Sequence, residues 1–358
     1  MSHTAYTDPN HVLNFESASS ECQVALPTNI CFVATSSGGL VASIIAKHAL
    51  NCVSRNPRTA SQTDIRSSHV HFFRPIFPAK GPVTLKAYEV NLGKTWSTFR
   101  VEVLQGETAK IAASGDVLVT NLALPGKTLN TNWELSPPPP LVDLSSLDTD
   151  SDPAWTLHHL PLDCQGLYTA PAYIKNYMPL SLMEGSPYIE HWMSPGWDCS
   201  PLGSRDPRLP EARWTNGLLQ WAVDMTVPIL GNFLETEHVR QKNFNLARFR
   251  TVALKQRAAR QAGRANWRQV DEPGGDSLDT LEESVIQTTL TMSTEIKRRL
   301  PDEGVRWLYV RSEAKSIQNG RLDVHVVLFD EKMRLVAISN QVAVVIPTVG
   351  KAAKKAVL

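Results

Sequence analysis

Asp224 is the side chain in this sequence best placed for chemistry, because it follows a largely apolar run at residues 218–223. A carboxylate in apolar surroundings costs free energy unless it is hydrogen-bonded or partly protonated. A hydroxyl and an amide are the neutral partners that could hold it together with a water. Asp224 could then act as a general base, or less readily as a nucleophile. A lone Asp in a helix is more often a surface residue or a packing compromise, and that alternative stays open.

Other reactive side chains give weaker signals. His69 and His71 share one face of a predicted strand, but no third metal ligand is placed near them, so a structural role is favoured. Cys199 has no accompanying His/Asn signature. The sequence has no Gly-x-Ser-x-Gly elbow, phosphate loop or dinucleotide fingerprint, which argues against the usual serine hydrolases, kinases and dehydrogenases. We therefore expect neither a metal nor a cofactor.

The composition sets the class of protein. With 42% apolar residues, 20% charged residues and a net charge of +1, the chain has no bias that would demand nucleic acid or a membrane surface. No apolar run reaches the roughly 18 residues of a membrane span. Five cysteines without a metal-like spacing indicate a reducing compartment. We expect a cytoplasmic protein without a signal peptide, and peroxisomal targeting is disfavoured because the C-terminus is not Ser-Lys-Leu.

The elements that must position Asp224 begin with a predicted helix at 38–54, where apolar residues recur at helical spacing. Ser36 or Ser37 can cap its start, and Gly38 and Gly39 allow another backbone or a ligand to come close. Strand-like runs follow at 69–77, 83–91, 95–105 and 109–120. One helix followed by a strand meander predicts an antiparallel sheet that wraps the helix.

The second half of the chain repeats this plan. Segments 99–104 and 111–117 match 324–329 and 336–342 at a shift of 225 residues, and 39–41 matches 217–219 at a shift of 178. Such self-similarity indicates duplication of one unit, although chance similarity is a live alternative with only two copies. It predicts a second helix at 213–232. The predicted boundaries are a first unit at 1–124, a Pro-rich linker at 125–165 and a second unit at 166–350.

An insertion at 240–283 separates the second helix from its strands. Residues 240–268 carry nine Lys/Arg and no acid, and residues 271–283 carry six acids and no base. One interpretation is a solvated excursion whose two parts attract each other. The other is a mobile or loosely packed arm that lies near the second-half site and binds phosphate.

Three segments, 37–41, 69–75 and 93–98, resemble the first half of type II acyl-CoA thioesterases and the fungal thioesterase-like group. The resemblance covers 30–125 and, more weakly, 211–346. It implies an α+β double hot-dog fold, in which two helix-wrapped antiparallel sheets in one chain join into a continuous sheet. It also implies an enzyme that hydrolyses acyl thioesters.

The resemblance assigns catalytic roles to Asp224, Thr289 and Gln341, with Asp224 as base and the other two orienting the water. Its neighbours Thr288 and Thr291 leave the choice of Thr289 open by one or two positions, and Ser293 is a further candidate. Backbone N–H groups at Asn216 and Gly217 could bind the thioester oxygen. In the first half, Ala46 and Asp116 stand at the positions of Asp224 and Gln341. We therefore expect one active site per chain.

The expected substrate is an acyl group on CoA or on a carrier protein, with a polyketide-type chain among the candidates. The residues that could contact CoA phosphates are Arg240, Lys242, Arg248 and Arg250. A homodimer is one expectation for the assembly. Two other functions stay open: a hot-dog enzyme of specialised metabolism that dehydrates, isomerises or cyclises its substrate, and an acyl-binding protein without catalysis.

Overall fold

The first-half helix forms where the sequence predicts it. Helix α2 (Gly38–Arg55) follows Ser37, whose extended backbone begins it, and buries nearly every apolar side chain along its length. It ends just before Pro57, since the residue preceding a proline is disfavoured in the helical region.

The computed structural model describes residues 6–17, 19–106, 110–162, 169–182, 185–234, 246–270 and 285–347.

The remaining elements are mostly strands. The other helices are α1 (Pro9–Val12), α3 (Leu144–Asp148), α4 (Leu219–Ala222) and α5 (Leu246–Gln261), with short 3-10 turns at Pro78–Lys80, Ala170–Tyr173, Asn216–Leu218 and Leu230–Phe233. The first-half strands are β1 (Glu21–Val24), β2 (Cys31–Phe32), β3 (Thr35–Ser36), β4 (Asp64–Phe72), β5 (Val83–Leu92), β6 (Ser97–Gln105) and β7 (Lys110–Thr120). The later strands are β8 (Trp155–His159), β9 (Ile174–Pro179), β10 (Tyr188–Pro195), β11 (Val285–Ile296), β12 (Leu308–Glu313), β13 (Ile317–Gln318), β14 (Arg321–Phe329) and β15 (Leu335–Pro347).

One antiparallel sheet runs through both halves in the order β1-β5-β6-β7-β4-β11-β15-β14-β12-β10-β9-β8. The halves join where β4 pairs with β11, with His69 opposite Ser293. Val70 lies opposite Met292, and Ser68 lies opposite Thr294. Helix α2 packs against the sheet formed by β4 to β7. The predicted continuous double hot-dog sheet is confirmed.

The strand register corrects the alignment of the two halves. Phe99 lies opposite Val117, whereas the matching Val324 lies opposite Gln341. The shift of 225 residues therefore holds for β6 and β14 but becomes 224 for β7 and β15. Val117, not Asp116, occupies the first-half position of Gln341. Asp116 lies on the outer face of the sheet, where it is paired with Arg100 at 2.8 Å.

The second helix is much shorter than the predicted 213–232. It consists of a 3-10 turn, Asn216–Leu218, and the single turn of α4, which ends at Ala222. Residues 226 and 227 are β-branched and precede Pro228, a combination that disfavours helix. Asp224 therefore lies two residues beyond the helix and not within it.

The predicted linker and insertion are also partly structured. Strand β8, inside the predicted linker, forms one edge of the sheet by pairing with β9. Helix α5, inside the predicted insertion, packs on β8, where the Gln256 amide bonds both the N–H and the carbonyl of His159 at 3.0 and 2.8 Å. Arg260 pairs with Asp150 at 2.7 Å. The prediction of a loosely packed arm is wrong for 246–270, while its remaining parts at 240–245 and 271–283 lie outside the described residues.

Strands β8, β9, β10 and β12 of the C-terminal half are buried on both faces. One face joins the main core with α2, and the other belongs to a second apolar cluster around Trp155, Tyr177, Trp192 and Tyr309. Among the described helices, none is long and apolar enough to cross a membrane.

Candidate active site

Asp224 meets the start of the first-half helix. Its Oδ2 accepts hydrogen bonds from the backbone N–H of Gly39 at 2.7 Å and from the hydroxyl of Ser37 at 3.1 Å. The first N–H groups of a helix have no intrahelical acceptor and carry partial positive charge, so this position favours a carboxylate. The second half therefore supplies the carboxylate, and the first half supplies the donors that hold it.

Gly39 makes this contact sterically possible. A Cβ at Gly39 would lie 2.5 Å from the Cβ of Asp224 and 2.8 Å from both the carbonyl of Gln220 and the Cα of Trp221. Two of these neighbours are backbone atoms, which cannot move aside cheaply. The close approach that the Gly38-Gly39 pair predicts is thus an approach of α4 and the segment after it to α2.

Burial and hydrogen bonding act in opposite directions on Asp224. Burial raises the pKa of this carboxyl above its ordinary value and outweighs the lowering by the Gly39 N–H and the Ser37 hydroxyl. A carboxylate with a raised pKa binds a proton more readily, as a general base must. The same contacts would also suit an Asp whose role is only to cap α2.

Gln341 lies beside the same segment. It is 6% exposed, and its Nε2 donates to the carbonyl of Val223 at 3.2 Å. Gln341 faces inward opposite Met292 on β11 and Val324 on β14. The structure therefore brings two of the three predicted residues, Asp224 and Gln341, into one neighbourhood.

A β-bulge decides which hydroxyl of β11 faces inward. Thr289 lies opposite Ala343 and Thr291 lies opposite Val342, so Leu290 has no partner of its own. Residues that lie opposite each other share a face of the sheet. Ala343 is buried on the inner face together with Gln341, whereas Val342 is exposed. Thr289 is therefore on the inner face, diagonal to Gln341, and Thr291 is on the outer face.

The first half carries the same bulge without the polar residues. Its register shift falls between Ile65 and Ser67, which corresponds to that between Thr289 and Thr291 at a shift of 224 residues. The first-half counterparts of the three predicted residues are therefore Ala46, Ile65 and Val117. All three are apolar, so among the described residues this set occurs in the second half alone.

The oxyanion donors predicted at Asn216 and Gly217 lie at the start of the 3-10 turn that precedes α4. The side-chain amide of Asn216 accepts from the N–H of Leu300 at 2.8 Å and donates to its carbonyl at 3.0 Å. A Cβ at Gly217 would meet Leu13 at 2.8 Å. The helix start in contact with Asp224 is instead that of α2, a role that sequence reasoning missed although the Gly38-Gly39 pair signalled it.

The basic residues proposed for CoA phosphates are only partly described. Arg240 and Lys242 lie outside the described residues. Arg250, on α5, donates a hydrogen bond to the carbonyl of Leu182. Arg248 lies close enough to His158 to help lower the pKa of that imidazole.

A metal role for the two strand histidines gains no support. The rings of His69 and His71 are 4.6 Å apart on β4, where both side chains are exposed. In the described part of the chain, no three His, Cys, Asp or Glu side chains are grouped so that they could hold a metal ion.

The continuous sheet, the helix in its first half and the duplicated bulge define a double hot-dog protein. Two family models match the chain, one described as an acyl-CoA thioesterase N-terminal domain over residues 27–119 and one as an acyl-CoA thioesterase C-terminal domain over residues 204–345. The chain belongs to the acyl-CoA thioesterase family and is a thioester hydrolase.

Individual relatives agree with this assignment. The chain is 24% identical over 349 residues to a thioesterase-like protein, TwmA, of Talaromyces wortmannii, covering 93% of this chain and 90% of that protein. Among solved structures, an acyl-CoA thioesterase II, TesB2, from Mycobacterium marinum has a TM-score of 0.52 at 18% identity over 95% of this chain and 99% of that one. A hot-dog protein of unknown function from Alicyclobacillus acidocaldarius has a TM-score of 0.60 at 12% identity over 96% and 100%. These structural likenesses concern the fold.

Proposed function

We propose that this enzyme hydrolyses acyl-CoA thioesters with Asp224 as the general base for the attacking water. The observation that carries the proposal is the fixed carboxylate of Asp224. Its Oδ2 is held by the Gly39 N–H and the Ser37 hydroxyl, and within the described residues its Oδ1 has no hydrogen-bond partner. One oxygen is thus anchored while the other can take a proton from water.

Thr289 and Gln341 would orient that water. Both lie on the inner face of adjacent strands, and Gln341 already contacts the residue before Asp224. A water held by a hydroxyl, an amide and a carboxylate has its lone pair directed by three fixed groups. Such positioning lowers the entropic part of the barrier.

The start of α2 would also polarise the thioester carbonyl. The Gly38 N–H is at the first helical position and therefore has no acceptor within the helix. A carbonyl oxygen that gains negative charge in the transition state is stabilised by such a donor. Asn216 and Gly217 remain the alternative donors from the second half.

Two thiol carriers would fit the reaction, CoA and the phosphopantetheine arm of a carrier protein. We propose CoA. Helix α5 begins close to the segment after Asp224, since the Leu246 N–H bonds Asn232 at 3.3 Å. Arg248 and Arg250 are in the first turns of this helix. Together with Arg240 and Lys242 they are the proposed partners of the CoA phosphates.

The test is Asp224→Asn, which keeps the shape of the side chain and an oxygen for the Gly39 N–H. We expect the release of free thiol from acyl-CoA to fall by about 10²–10⁴-fold, because the base is lost. The melting temperature should change little. If the variant keeps most of its activity, Asp224 is only a cap of α2. Offering the same acyl group on CoA and on a carrier protein distinguishes the two thiol carriers.

A further inference from the structure

Three buried polar residues lie together on the inner face of the C-terminal half, far along the sheet from Gln341. His191 on β10 is wholly buried, and neither of its ring nitrogens has a hydrogen-bond partner among the described residues. Asn176 lies opposite Met193 and Ser312 lies opposite Ile189, so both are diagonal neighbours of His191. In the described part of the chain, the Asn176 Oδ1 and the Ser312 Oγ also have no partner.

The same face continues onto β8 at the sheet edge. His158 lies directly opposite Asn176, and Thr156 lies opposite Met178. The His158 Nδ1 and the Thr156 Oγ1 are again buried, and no residue that the structure describes bonds either atom. We call these five residues the polar strip: Thr156, His158, Asn176, His191 and Ser312.

The fold itself does not require a polar strip. Buried polar groups in proteins are nearly always hydrogen-bonded, and each unsatisfied group costs about 1–3 kcal/mol. Apart from Ser97, whose hydroxyl is also buried without a described partner, the inner faces of β5 and β6 carry apolar residues such as Val83, Leu85, Val101 and Val103. A contiguous set of unsatisfied groups in only one half indicates a ligand that satisfies them.

The strip is uncharged at neutral pH. Burial lowers the pKa of His158 and of His191 to about 3, so each imidazole is neutral and offers one donor and one acceptor. The strip itself contains no acid, lysine or arginine. Its complement is therefore an uncharged group with oxygen atoms, such as a hydroxyl or a ketone.

Aromatic contacts connect the strip to Asp224. The backbone of Trp221 packs against Gly39, beside the Asp224 carboxylate. The ring of Trp221 lies 6.2 Å from the ring of Tyr173. Tyr173 directly precedes β9, the strand that carries Asn176. The segment that carries Asp224 and the inner face of β9 and β10 therefore border one apolar core, which also contains Ile174, Met178 and Met193.

We propose that the polar strip binds hydroxyl or keto groups on the distal part of the acyl chain, so that the enzyme selects oxygenated acyl thioesters over plain alkyl ones. The inference rests on the proposed function, because it places the thioester at Asp224. A plain alkyl chain would leave the five polar groups unsatisfied, whereas an oxygenated chain would bond them.

The test measures binding separately from hydrolysis. Calorimetry on the intact Asp224→Asn chain would compare decanoyl-, dodecanoyl-, tetradecanoyl- and hexadecanoyl-CoA with their ω-hydroxy and (ω-1)-oxo forms. We expect one length at which an oxygenated chain binds about tenfold more tightly, as one to two good hydrogen bonds would give. Adding His191→Leu and Asn176→Leu should abolish that preference, and adding the nearby Met193→Leu should not.

Folding provides an independent control. Because the replaced groups bond no residue within the described ranges, the two leucine substitutions should keep or raise the melting temperature of the free protein. Ser312→Ala, a smaller change, tests the strip if the leucine variants do not fold. Equal binding of alkyl and oxygenated chains at every length, or a preference that survives these substitutions, overturns the proposal. Full hydrolysis by Asp224→Asn with a retained binding preference would overturn the proposed base and leave the polar strip standing.

Discussion

The two halves share one plan but differ in their helices and in the side chains on their inner faces. The first half wraps the long helix α2, whereas the second half has the single turn of α4. Because α4 ends at Ala222, the chain can turn Asp224 back onto the start of α2. The candidate site therefore consists of a carboxylate from one half and a helix start from the other, which neither half could form alone.

The inner faces of the two halves also differ, because the first is apolar and the second carries polar residues. Ala46, Ile65 and Val117 fill the first-half positions with apolar atoms, and α2 and strands β4 to β7 form an apolar core around them. The polar counterparts and the polar strip both lie in the second half. Under the proposed function, the first half serves stability and supplies the helix start, while the second half carries the polar residues for chemistry and binding.

The largest expected effect is on the stability of the fold, and it differs between two glycines at corresponding helix starts. Gly39→Ala should destabilise the fold by about 3 kcal/mol, because the new Cβ would overlap backbone atoms of Gln220 and Trp221. Gly217→Ala should cost much less, since its new Cβ would meet chiefly the end of the Leu13 side chain. Chemical denaturation of both variants measures this. Equal losses would mean that the two helix starts are equally crowded.

The next effect compares equivalent strand positions. Gln341→Ala should lower kcat/KM by about 10–100-fold with a small change in stability, because a poorly oriented water still reacts. Val117→Ala should instead cost about 2 kcal/mol of stability through the cavity it leaves, with little change in kcat/KM. Thiol release and thermal unfolding, measured on both variants, give the two readouts. If Val117→Ala also reduces turnover in the folded enzyme, the division of roles between the halves is wrong.

The smallest effect concerns pH. If Asp224 is the base, activity is lost as the pH falls through its raised pKa, since the carboxyl then takes up a proton. Ser37→Ala removes a donor that favours the charged carboxylate, so it should raise the pKa of Asp224 further. The loss of activity at low pH, the acid limb of the pH profile, should then move to higher pH.

The matched control is Ser43→Ala, on the same helix. Its buried hydroxyl bonds the Gly39 carbonyl at 3.0 Å and not the Asp224 carboxylate. Profiles of kcat/KM against pH should show a shifted acid limb for Ser37→Ala alone. An unchanged limb in that variant would speak against Asp224 as the titrating base.

The sequence by itself determined the elements with strong local patterns. The helical spacing of apolar residues gave α2 almost to its ends, and the alternation in β5 and β6 gave those strands, because both periods are properties of the local backbone. The sequence also singled out Asp224, since a carboxylate beside apolar residues is visible without any tertiary information. The resemblance added Thr289 and Gln341.

Only the tertiary structure decided how these residues are arranged. The bulge at Leu290 turns Thr289 inward, and the pairing of Val324 with Gln341 makes Val117 its counterpart. Strand register is set by hydrogen bonds between segments far apart in the chain, so a one-residue difference in a connection cannot be read from similarity alone. The polar strip was equally hidden, because burial without a partner depends on every element that surrounds a side chain.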